Sequence, residues 1–465
     1  MGKPYWGYEN YLMGSTVTAR TEDSVYPASN LGLYTMHRWR SASKCVVLDG
    51  AADYLWIADA AWNSYISDFC FEFLYRPDTV DTSSANKHII DKWGVAGQKA
   101  YRILQNDDDV IVHLSSDGTN AAAIVTFAAV LTAAQYDRSK LSYDASGADL
   151  VLYVDGVESG RVIDTTPSGT AAITGAIPTS LFNGTTRLTI GADHAGASFI
   201  AGKLGFVGFD GTTGDHGGYL QATACDAYYK FDNSDGTDSS GNGRTLTEVS
   251  LDSGDYSNCT AYNWLGFTLP ATQDPTFLFL DRRHNITSTG TVRLLRDDWF
   301  STYDSVSSIT ATAGQPVVKR LSSTTETQWW LEINDPDNSD GYIEIPHVWL
   351  GSYTSMERAH LRGYDHDEFM PGNQQSDVLG NPDGYIRGGQ VWGKSLTFRA
   401  NATDFSTLQS VRDETGRNRP VAFCEDVDNE DTETWLVKIP DMKYSHIYTT
   451  YRFVKAAVQE VAVGL

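Results

Sequence analysis

The chain has 465 residues, and 59 acidic against 35 basic side chains give it a formal net charge of −24. Aromatic residues make up 12% of the sequence, which is too much apolar ring area for a disordered chain. At this length we expect roughly two to four folded domains. The negative charge repels phosphates and anionic lipid, so it disfavours nucleic-acid binding and membrane insertion.

Targeting signals and a disulfide framework are not expected. The longest mostly apolar run, 121–134, falls short of the roughly 20 residues that a membrane-spanning helix needs. The N-terminus is interrupted early by Tyr8 and Glu9, so it does not read as a signal peptide, and we expect synthesis in the cytosol. Five widely spaced cysteines fit neither a disulfide scaffold nor a zinc site, and most are expected to be buried.

Short runs of β-branched and aromatic residues, separated by Gly, Asp, Asn and Ser clusters, predict an all-β fold. In chain order, the clearest predicted strands are Phe69 to Tyr75, Leu150 to Val154, Arg187 to Ile190, Thr276 to Leu280, Trp329 to Ile333 and Ser395 to Arg399. Asp155-Gly156 separates two strand patterns and predicts a tight hairpin turn. One short helix is expected over Asp404 to Asp413, where apolar residues recur at three-residue spacing.

The segment 46–255 carries several short phrases in a characteristic order. They are Leu48-Asp49-Gly50-Ala51-Ala52-Asp53-Tyr54-Leu55, Ile89-Ile90-Asp91-Lys92-Trp93-Gly94, Leu152-Tyr153-Val154-Asp155-Gly156, Leu188-Thr189-Ile190-Gly191-Ala192 and Tyr229-Lys230-Phe231-Asp232. Together they resemble laminin G-like and concanavalin-like lectin domains, and the resemblance implies a sandwich of two facing sheets. The phrase Asp238 to Gly243 follows the sandwich here but precedes it in many relatives, so the border strands are expected to differ.

The flanking segments resemble other β modules. Ser15 to Ser41 resembles the first strands of a discoidin-like jelly roll of tailed-bacteriophage structural proteins, and phrases in 256–352 resemble its continuation. The segment 353–465 is similar to a small β module of phage tail proteins. We therefore predict a discontinuous jelly roll over 1–45 and 256–352, a sandwich over 46–255 and a C-terminal β-rich assembly module over 353–465. The alternative is a tandem arrangement without insertion.

The sequence does not show the carboxylate pair of a glycosidase. Such enzymes need two carboxylates about 5 to 9.5 Å apart, one of them with a raised pKa. The glucanase pattern Glu-x-Asp-x-x-Glu is absent, and Glu72, Glu158 and Glu248 are far apart in the sequence. We predict no enzymatic activity, and an Asp pair remains the alternative route to hydrolysis.

Calcium is the cofactor considered, because lectin-like sandwiches often bind it through loop carboxylates and carbonyls. The candidate ligands are Asp107 and Asp109 in the densest acidic run, and Asp232 and Asp235 in a Gly-rich loop. The competing interpretation, which we favour, is that these side chains belong to solvated turns and cap their own backbone. Zinc is not expected, because the histidines and cysteines lack short ligand spacing.

Aromatic side chains give the better functional indication, since flat rings stack on sugars. The candidate ligand-binding residues are Trp62, Trp93 and Tyr101. Core packing is the interpretation we favour for most of these rings, and the two tryptophans, which fall in predicted loops, are the better candidates for exposure. The resemblance implies a tail-associated virion protein of a tailed bacteriophage, assembled in the host cytoplasm. Its expected partners are other virion proteins, copies of itself and a host-surface glycan.

Two alternative functions stay open at this point. One is an architectural or capsid-decorating subunit that binds no glycan. The other is a polysaccharide depolymerase. Glycan binding by the sandwich segment separates the first alternative from the favoured interpretation, and turnover of a polysaccharide would identify the second.

Overall fold

The structure is a computed structural model of the whole chain. It describes residues 4–20, 28–32, 39–41, 43–80, 85–212, 218–220, 222, 224–296, 304–312, 314–356, 366–369, 391–415, 421–424, 427–429, 432, 434–446 and 452–460. Parts of the predicted jelly-roll flank, 21–27 and 33–38, lie outside the described residues. Among the described residues, no helix combines the length and the apolar character that crossing a membrane would require.

Almost all regular structure is β-strand. The first strands are β1 Tyr5–Asn10, β2 Thr16–Ala19 and β3 Trp39–Arg40. Next come β4 Lys44–Asp49, β5 Tyr54–Ile57, β6 Phe69–Pro77, β7 Lys87–Trp93, β8 Lys99–Asn106, β9 Asp109–Leu114, β10 Ala123–Phe127, β11 Asp137–Asp144, β12 Asp149–Val154, β13 Val157–Ile163, β14 Thr166–Gly169, β15 Ala171–Gly175, β16 Leu188–Ile190, β17 Ala201–Asp210, β18 Ala227–Tyr229, β19 Thr247–Val249 and β20 Tyr256–Asn258. The remaining strands are β21 Asn263–Gln273, β22 Phe277–Leu280, β23 Thr291–Arg296, β24 Asp304–Thr310, β25 Val317–Arg320, β26 Glu326–Asn334, β27 Glu344–Ile345, β28 Val348–Ser355, β29 His366–Phe369, β30 Val391–Ala400, β31 Val421–Cys424, β32 Thr434–His446 and β33 Arg452–Glu460.

The chain forms two compact units. The central unit comprises Ala42–Tyr262 with Arg296–Asp304, and the flanking unit comprises Met1–Ser41, Asn263–Leu295 and Ser305–Leu465. The all-β fold class predicted from the sequence is confirmed. The structure groups the C-terminal strands with the N-terminal ones, whereas the three-domain division and its boundaries stay a prediction.

The central unit contains two antiparallel sheets. One has eight strands in the order β15-β10-β9-β8-β7-β16-β5-β19. The other has nine: eight follow the order β14-β13-β12-β11-β6-β17-β4-β20, and the ninth, β18, pairs with β17. Their facing sides share one apolar core, in which Phe71 of β6 lies against Tyr101 of β8 with ring centroids 5.1 Å apart. Alternating apolar residues on each strand supply this core, as expected for sheets that bury one face.

The predicted Asp155-Gly156 hairpin is confirmed. β12 and β13 pair antiparallel with Val154 opposite Val157, and the two residues between them have φ values of 52° and 83°. Both central residues of such a turn need a positive φ, which Asp tolerates and Gly adopts without steric cost. The six predicted strands also coincide with observed strands, whose ends lie within a few residues of the predicted ones.

The flanking unit combines a nine-stranded sheet, a five-stranded sheet and a two-stranded ribbon. Their orders are β25-β22-β28-β1-β31-β32-β33-β30-β29, β2-β21-β26-β23-β24 and β27-β3. The predicted short helix is confirmed as α1, Ala402–Thr415, which begins after Asn401, whose side chain accepts a hydrogen bond from the Asp404 amide at 2.7 Å. Leu408 and Val411 of α1 are buried in an apolar cluster beside strands of the large sheet.

Candidate functional site

The outward face of the eight-stranded sheet carries polar and aromatic side chains. In β8, Tyr101 and Ile103 belong to the core, so Arg102 between them points to the opposite face. The same alternation in β9 places His113 on that outward face. This face is therefore the side of the sandwich that a ligand can approach without disrupting the core.

The strand register aligns five of these residues in one row across the sheet. Trp56 pairs with Thr189, Thr189 with Asp91, Asp91 with Arg102, and Arg102 with His113. Neighbouring strands lie about 4.8 Å apart, so the row is roughly 19 Å long. Residues that are more than 130 positions apart in the sequence thus share one surface.

Four residues at one end of the row form a group that we name the Trp93 cluster: Trp93, Lys99, Arg102 and His113. The Arg102 guanidinium lies 4.8 Å and the Lys99 ammonium 5.6 Å from the centroid of the Trp93 ring. The His113 ring meets the same indole edge-on, with centroids 5.6 Å apart. Cations above an aromatic ring are attracted by its negative face, so Trp93 fixes the positions of both charges.

Arg102 keeps an unused donor. Its Nη2 donates to Nδ1 of His113 at 3.0 Å, whereas its buried Nε has no hydrogen-bond partner among the residues that the structure describes. Because arginine can only donate, His113 must be neutral. Burial, with a smaller contribution from Arg102, lowers the pKa of His113 to about 4, which is consistent with that neutral ring.

Asp91 of β7 positions the Trp93 cluster through hydrogen bonds. Its Oδ2 lies 2.6 Å from Nδ1 of His88, and its Oδ1 accepts a hydrogen bond from the Trp93 amide at 2.9 Å. The carboxylate is fully buried. It therefore holds the end of β7, and with it the indole, in a fixed orientation.

The loop after β16 contacts the middle of the row. The Thr189 hydroxyl donates to the Ala192 carbonyl at 2.9 Å, and the Arg187 Nε donates to the His194 carbonyl at 3.0 Å. Asp193 organises this loop, because its Oδ1 accepts the Ala195 and Ala197 amides. The loop thus buries the centre of the row and leaves its two ends as the accessible regions.

A second group, which we name the Arg187 cluster, stands at the other end and consists of Tyr54, Trp56 and Arg187. The guanidinium lies 5.4 Å from the Tyr54 centroid and 5.2 Å from the Trp56 centroid. Its Nη2 also donates to the Tyr54 hydroxyl at 3.3 Å. Both rings are partly exposed, so they offer flat apolar surface next to a fixed positive charge.

Trp93 is buried rather than exposed in a loop. Trp93 ends strand β7 and is only 6% exposed, because Lys99, Arg102 and His113 cover its ring. Tyr101 is 1% exposed in the core and donates its hydroxyl to the Asn63 carbonyl at 2.9 Å. The strand alternation that places Arg102 outward places Tyr101 inward, so this ring presents no face to a ligand.

Trp62 lies apart from both clusters. It belongs to the short helical turn Ala61–Asn63 and is partly exposed, with its ring 6.3 Å from Phe209 and 4.7 Å from the Arg244 guanidinium. This is a further place where an aromatic ring and a cation are in contact. The structure does not test a ligand-binding role for Trp62, which stays a prediction.

The four candidate calcium ligands lie in turns or directly beside them. Asp107 adopts a φ of 58° between β8 and β9, and Asp109 accepts the Ala129 amide at 3.0 Å. Asp232 accepts the Lys44 amide at 3.0 Å, and Asp235 accepts the Thr237 amide at 3.0 Å. These contacts fit the turn interpretation. Within the described part of the chain, no three His, Cys, Asp or Glu side chains gather as a metal site.

The three glutamates considered for catalysis form structural hydrogen bonds and ion pairs. Glu72 is buried and accepts Arg138 Nη1 at 2.8 Å, while its second oxygen accepts the Leu220 amide at 2.7 Å. Glu158 pairs with Arg161 at 3.2 Å. Glu248 accepts a backbone amide at 2.7 Å. Each of these three carboxylates thus has a structural partner.

Sequence reasoning missed the basic members of the site: Lys99, Arg102, His113 and Arg187. A partial signal was present, because Arg102 lies between the core residues Tyr101 and Ile103, and His113 lies between Val112 and Leu114. This pattern indicates an outward face but does not reveal which strands are neighbours. Only the register brings residues from five strands into one row.

No protein-family model matches the sequence, and no curated protein is significantly similar to it. Among solved structures, a candidate carbohydrate-binding protein from Bacteroides ovatus ATCC 8483 is similar with a TM-score of 0.34 and 16% identity, over 45% of this chain and 59% of that one. The match thus spans less than two thirds of that protein.

Two further structures are carbohydrate-binding modules. The CBM40 of a Ruminococcus gnavus IT-sialidase, bound to α2,3 sialyllactose, has a TM-score of 0.26 and 10% identity over 37% of this chain and 92% of the module. A chitosan-binding module from Paenibacillus sp. IK-5, in complex with chitotriose, has a TM-score of 0.17 and 15% identity over 21% of this chain and 74% of the module. None of these three structures is described as a laminin G-like domain or a virion protein. The laminin G-like and the phage resemblances therefore stay predictions.

Proposed function

We propose that this chain is a non-catalytic glycan-binding protein and that the outward face of the eight-stranded sheet binds a negatively charged carbohydrate. The observation that carries the proposal is Arg102: a partly exposed guanidinium that Trp93 and His113 hold in place on this face. A carboxylate or sulfate accepts strong charge-assisted hydrogen bonds from such a group.

The charge distribution supports an anionic ligand. Lys99, Arg102 and Arg187 lie on this face, although the chain as a whole carries a charge of −24. The nearest carboxylate in the row, Asp91, is buried and paired with His88. A local basic region on an acidic protein attracts anionic ligands to that region.

The aromatic rings support a sugar as the body of the ligand. Tyr54 and Trp56 are partly exposed and lie on the same face as Arg187, within 5.5 Å of its guanidinium. Aromatic rings bind the apolar faces of sugar rings while nearby donors bind the polar substituents. The row thus combines stacking surface and cationic donors at its two ends.

The test is binding of the full chain to an array of neutral, carboxylated and sulfated glycans at two salt concentrations. We expect acidic glycans to bind preferentially, with weaker binding at high salt. Arg102→Ala should lower the affinity for the best acidic glycan about 10- to 100-fold, because a charge-assisted hydrogen bond is lost. Trp56→Ala should lower it about 5- to 10-fold through lost stacking.

Arg161→Ala is the matched control, since Arg161 is a partly exposed arginine on β13 in the other sheet, paired with Asp149 at 2.6 Å. It should leave binding unchanged. Equal binding of neutral and acidic glycans would contradict the anionic ligand. No binding to any glycan would leave the architectural alternative, and turnover of a polysaccharide would favour the depolymerase.

We also propose a tail-associated place in a bacteriophage virion as the biological setting. The support is the sequence resemblance of the flanks, 15–41 and 256–465, to phage structural modules. Immunogold labelling of purified particles with an antibody against the chain tests it. Label at the tail is expected, label on the capsid would indicate a decorating subunit, and particles without label would overturn the proposal.

A further inference from the structure

Two cysteines lie beside each other where the ends of the central unit pair. Cys45 is the second residue of β4, and Cys259 directly follows β20. In this antiparallel pair Cys45 stands opposite Ser257, and the Cys259 amide donates to the Ser43 carbonyl at 2.8 Å. The two cysteines are therefore diagonal neighbours on one face of the sheet.

The two thiols are in hydrogen-bond contact with each other. Cys45 Sγ also lies 3.0 Å from Ser257 Oγ and accepts the Tyr136 hydroxyl at 3.5 Å. These donors, of which Cys259 is the strongest, outweigh burial and lower the pKa of Cys45 below its ordinary value, with Lys203 adding a small effect. A thiol surrounded by donors is the more reactive member of such a pair.

The other cysteines of the central unit contrast with this pair. Burial raises the pKa of Cys225, and the nearby carboxylates of Asp210 and Glu72 raise it further. Cys70 lies nearby in β6, where it is buried. The Cys225 thiol therefore stays protonated and poorly reactive, and we expect oxidation at Cys45 and Cys259.

We propose that Cys45 and Cys259 are a redox-active pair that closes to a disulfide when the chain meets hydrogen peroxide. The Cys45 thiolate attacks the peroxide, the O–O bond breaks, and a sulfenic acid forms while the leaving oxygen takes a proton to become water. Cys259 then attacks that sulfur, the S–O bond breaks, and the second oxygen leaves as water. Two thiols are oxidised, and the one peroxide is reduced to two waters.

The disulfide would fasten the two ends of the central unit. Ser257, which stands opposite Cys45, lies 212 positions further along the chain. A disulfide between Cys45 and Cys259 therefore closes a very long loop. Long loops lose the most conformational entropy in the unfolded chain on cross-linking. Both thiols are almost fully buried, which restricts the reaction to small oxidants such as hydrogen peroxide.

The test uses the full chain, reduced or treated with hydrogen peroxide, then unfolded in an alkylating reagent and digested for mass spectrometry. We expect a cross-linked peptide pair containing Cys45 and Cys259, and alkylated Cys70, Cys225 and Cys424. Thermal unfolding of the oxidised protein should begin roughly 5 to 15 °C higher than that of the reduced protein. Reduction should reverse both changes.

Cys259→Ser and Cys70→Ser are the matched variants. Because serine keeps a hydroxyl donor beside Cys45, the first should abolish the cross-link and the thermal shift and leave a peroxide-dependent sulfenic acid on Cys45; the second should change neither the cross-link nor the thermal shift. If wild-type protein treated with peroxide yields alkylated Cys45 and Cys259, or a cross-link between other cysteines, the proposal is overturned. That measurement needs no variant to fold.

Discussion

Asp137, the first residue of β11, has a buried carboxyl group. Its side chain is 8% exposed, and its Oδ2 accepts the Thr132 amide at 3.0 Å. Burial raises the pKa of Asp137 to about 7, and the nearby Asp155 adds to the effect, while the Thr132 amide opposes it. The folded chain therefore keeps a proton here that the unfolded chain loses near pH 4.

We expect the stability of the central unit to depend on this proton. The stabilising contribution is complete below pH 4 and is lost as the pH rises through 7, because the folded-state pKa lies above the unfolded-state one. The loss should amount to roughly 1 to 3 kcal/mol between pH 5 and 8. Urea unfolding of the full chain at several pH values measures it, and Asp137→Asn should flatten the curve.

The control for this experiment is Asp144→Asn at the other end of β11. Backbone and side-chain hydrogen bonds, first of all from the Gly147 amide, lower the pKa of Asp144. Because its pKa is lowered, Asp144 changes its charge only at low pH. Asp144→Asn should therefore leave the stability loss between pH 5 and 8 unchanged. If Asp137→Asn keeps the wild-type slope, the carboxyl is ionised in the folded protein and the expectation is wrong.

At the scale of single elements, the β12–β13 hairpin requires particular residues at its two turn positions. Gly156 adopts a φ of 83° beside Asp155 at 52°. Any side chain at position 156 must enter the left-handed region, which costs about 1 to 2 kcal/mol for residues other than Gly, Asn or Asp. The turn also positions Asp155 to accept the Arg138 amide at 3.1 Å.

We expect Gly156→Ala to lower the unfolding free energy by about 1 kcal/mol and Gly156→Asn to cost less than half of that. Chemical denaturation followed by tryptophan fluorescence measures both. Val157→Ala, at the next and 65% exposed position, is the control and should change stability by only a few tenths of a kcal/mol. Equal losses for Ala and Asn would show that the turn conformation is not what limits stability.

The elements were predictable where local chemistry determines them. Asp155-Gly156 defines its own turn, and the spacing of apolar residues before Asp413 defines the helix, so both were confirmed. Trp93 was placed in a loop because Gly94 follows it, yet cross-strand pairing extends β7 to the tryptophan itself. A bulge in β7 places both Ile89 and Ile90 in the core, an irregularity that strict alternation does not predict.

The site was the least predictable feature, for a physical reason. Trp56 and Arg102 share a row because β5, β16, β7 and β8 are neighbours, and this order results from pairing across long stretches of chain. No local propensity encodes the order of strands in a sheet. Sequence alone indicated aromatic rings suited to sugars, whereas the structure supplied the cations that stand next to them.

At the scale of the whole molecule, each unit has its own apolar cores. The large core of the central unit draws only on described residues between Val46 and Tyr256. The clusters of the flanking unit draw on residues before Ser41 and after Asn263. The ends of the central unit also pair with each other, since Lys44 stands opposite Asn258. A segment with its own core and adjacent ends meets the conditions for folding independently.

We therefore expect a fragment comprising 42–262 to fold on its own. It should show a cooperative thermal transition and the β-type circular dichroism of the central unit, and it should keep the glycan affinity of the full chain, because every residue of the row lies within it. A shorter fragment, 49–255, lacks most of β4 and β20 and exposes the β17 edge, so it should aggregate or unfold at lower temperature. If the two fragments behave alike, the pairing of the ends contributes little; if 42–262 stays unfolded while the full chain folds, the central unit depends on the flanking one.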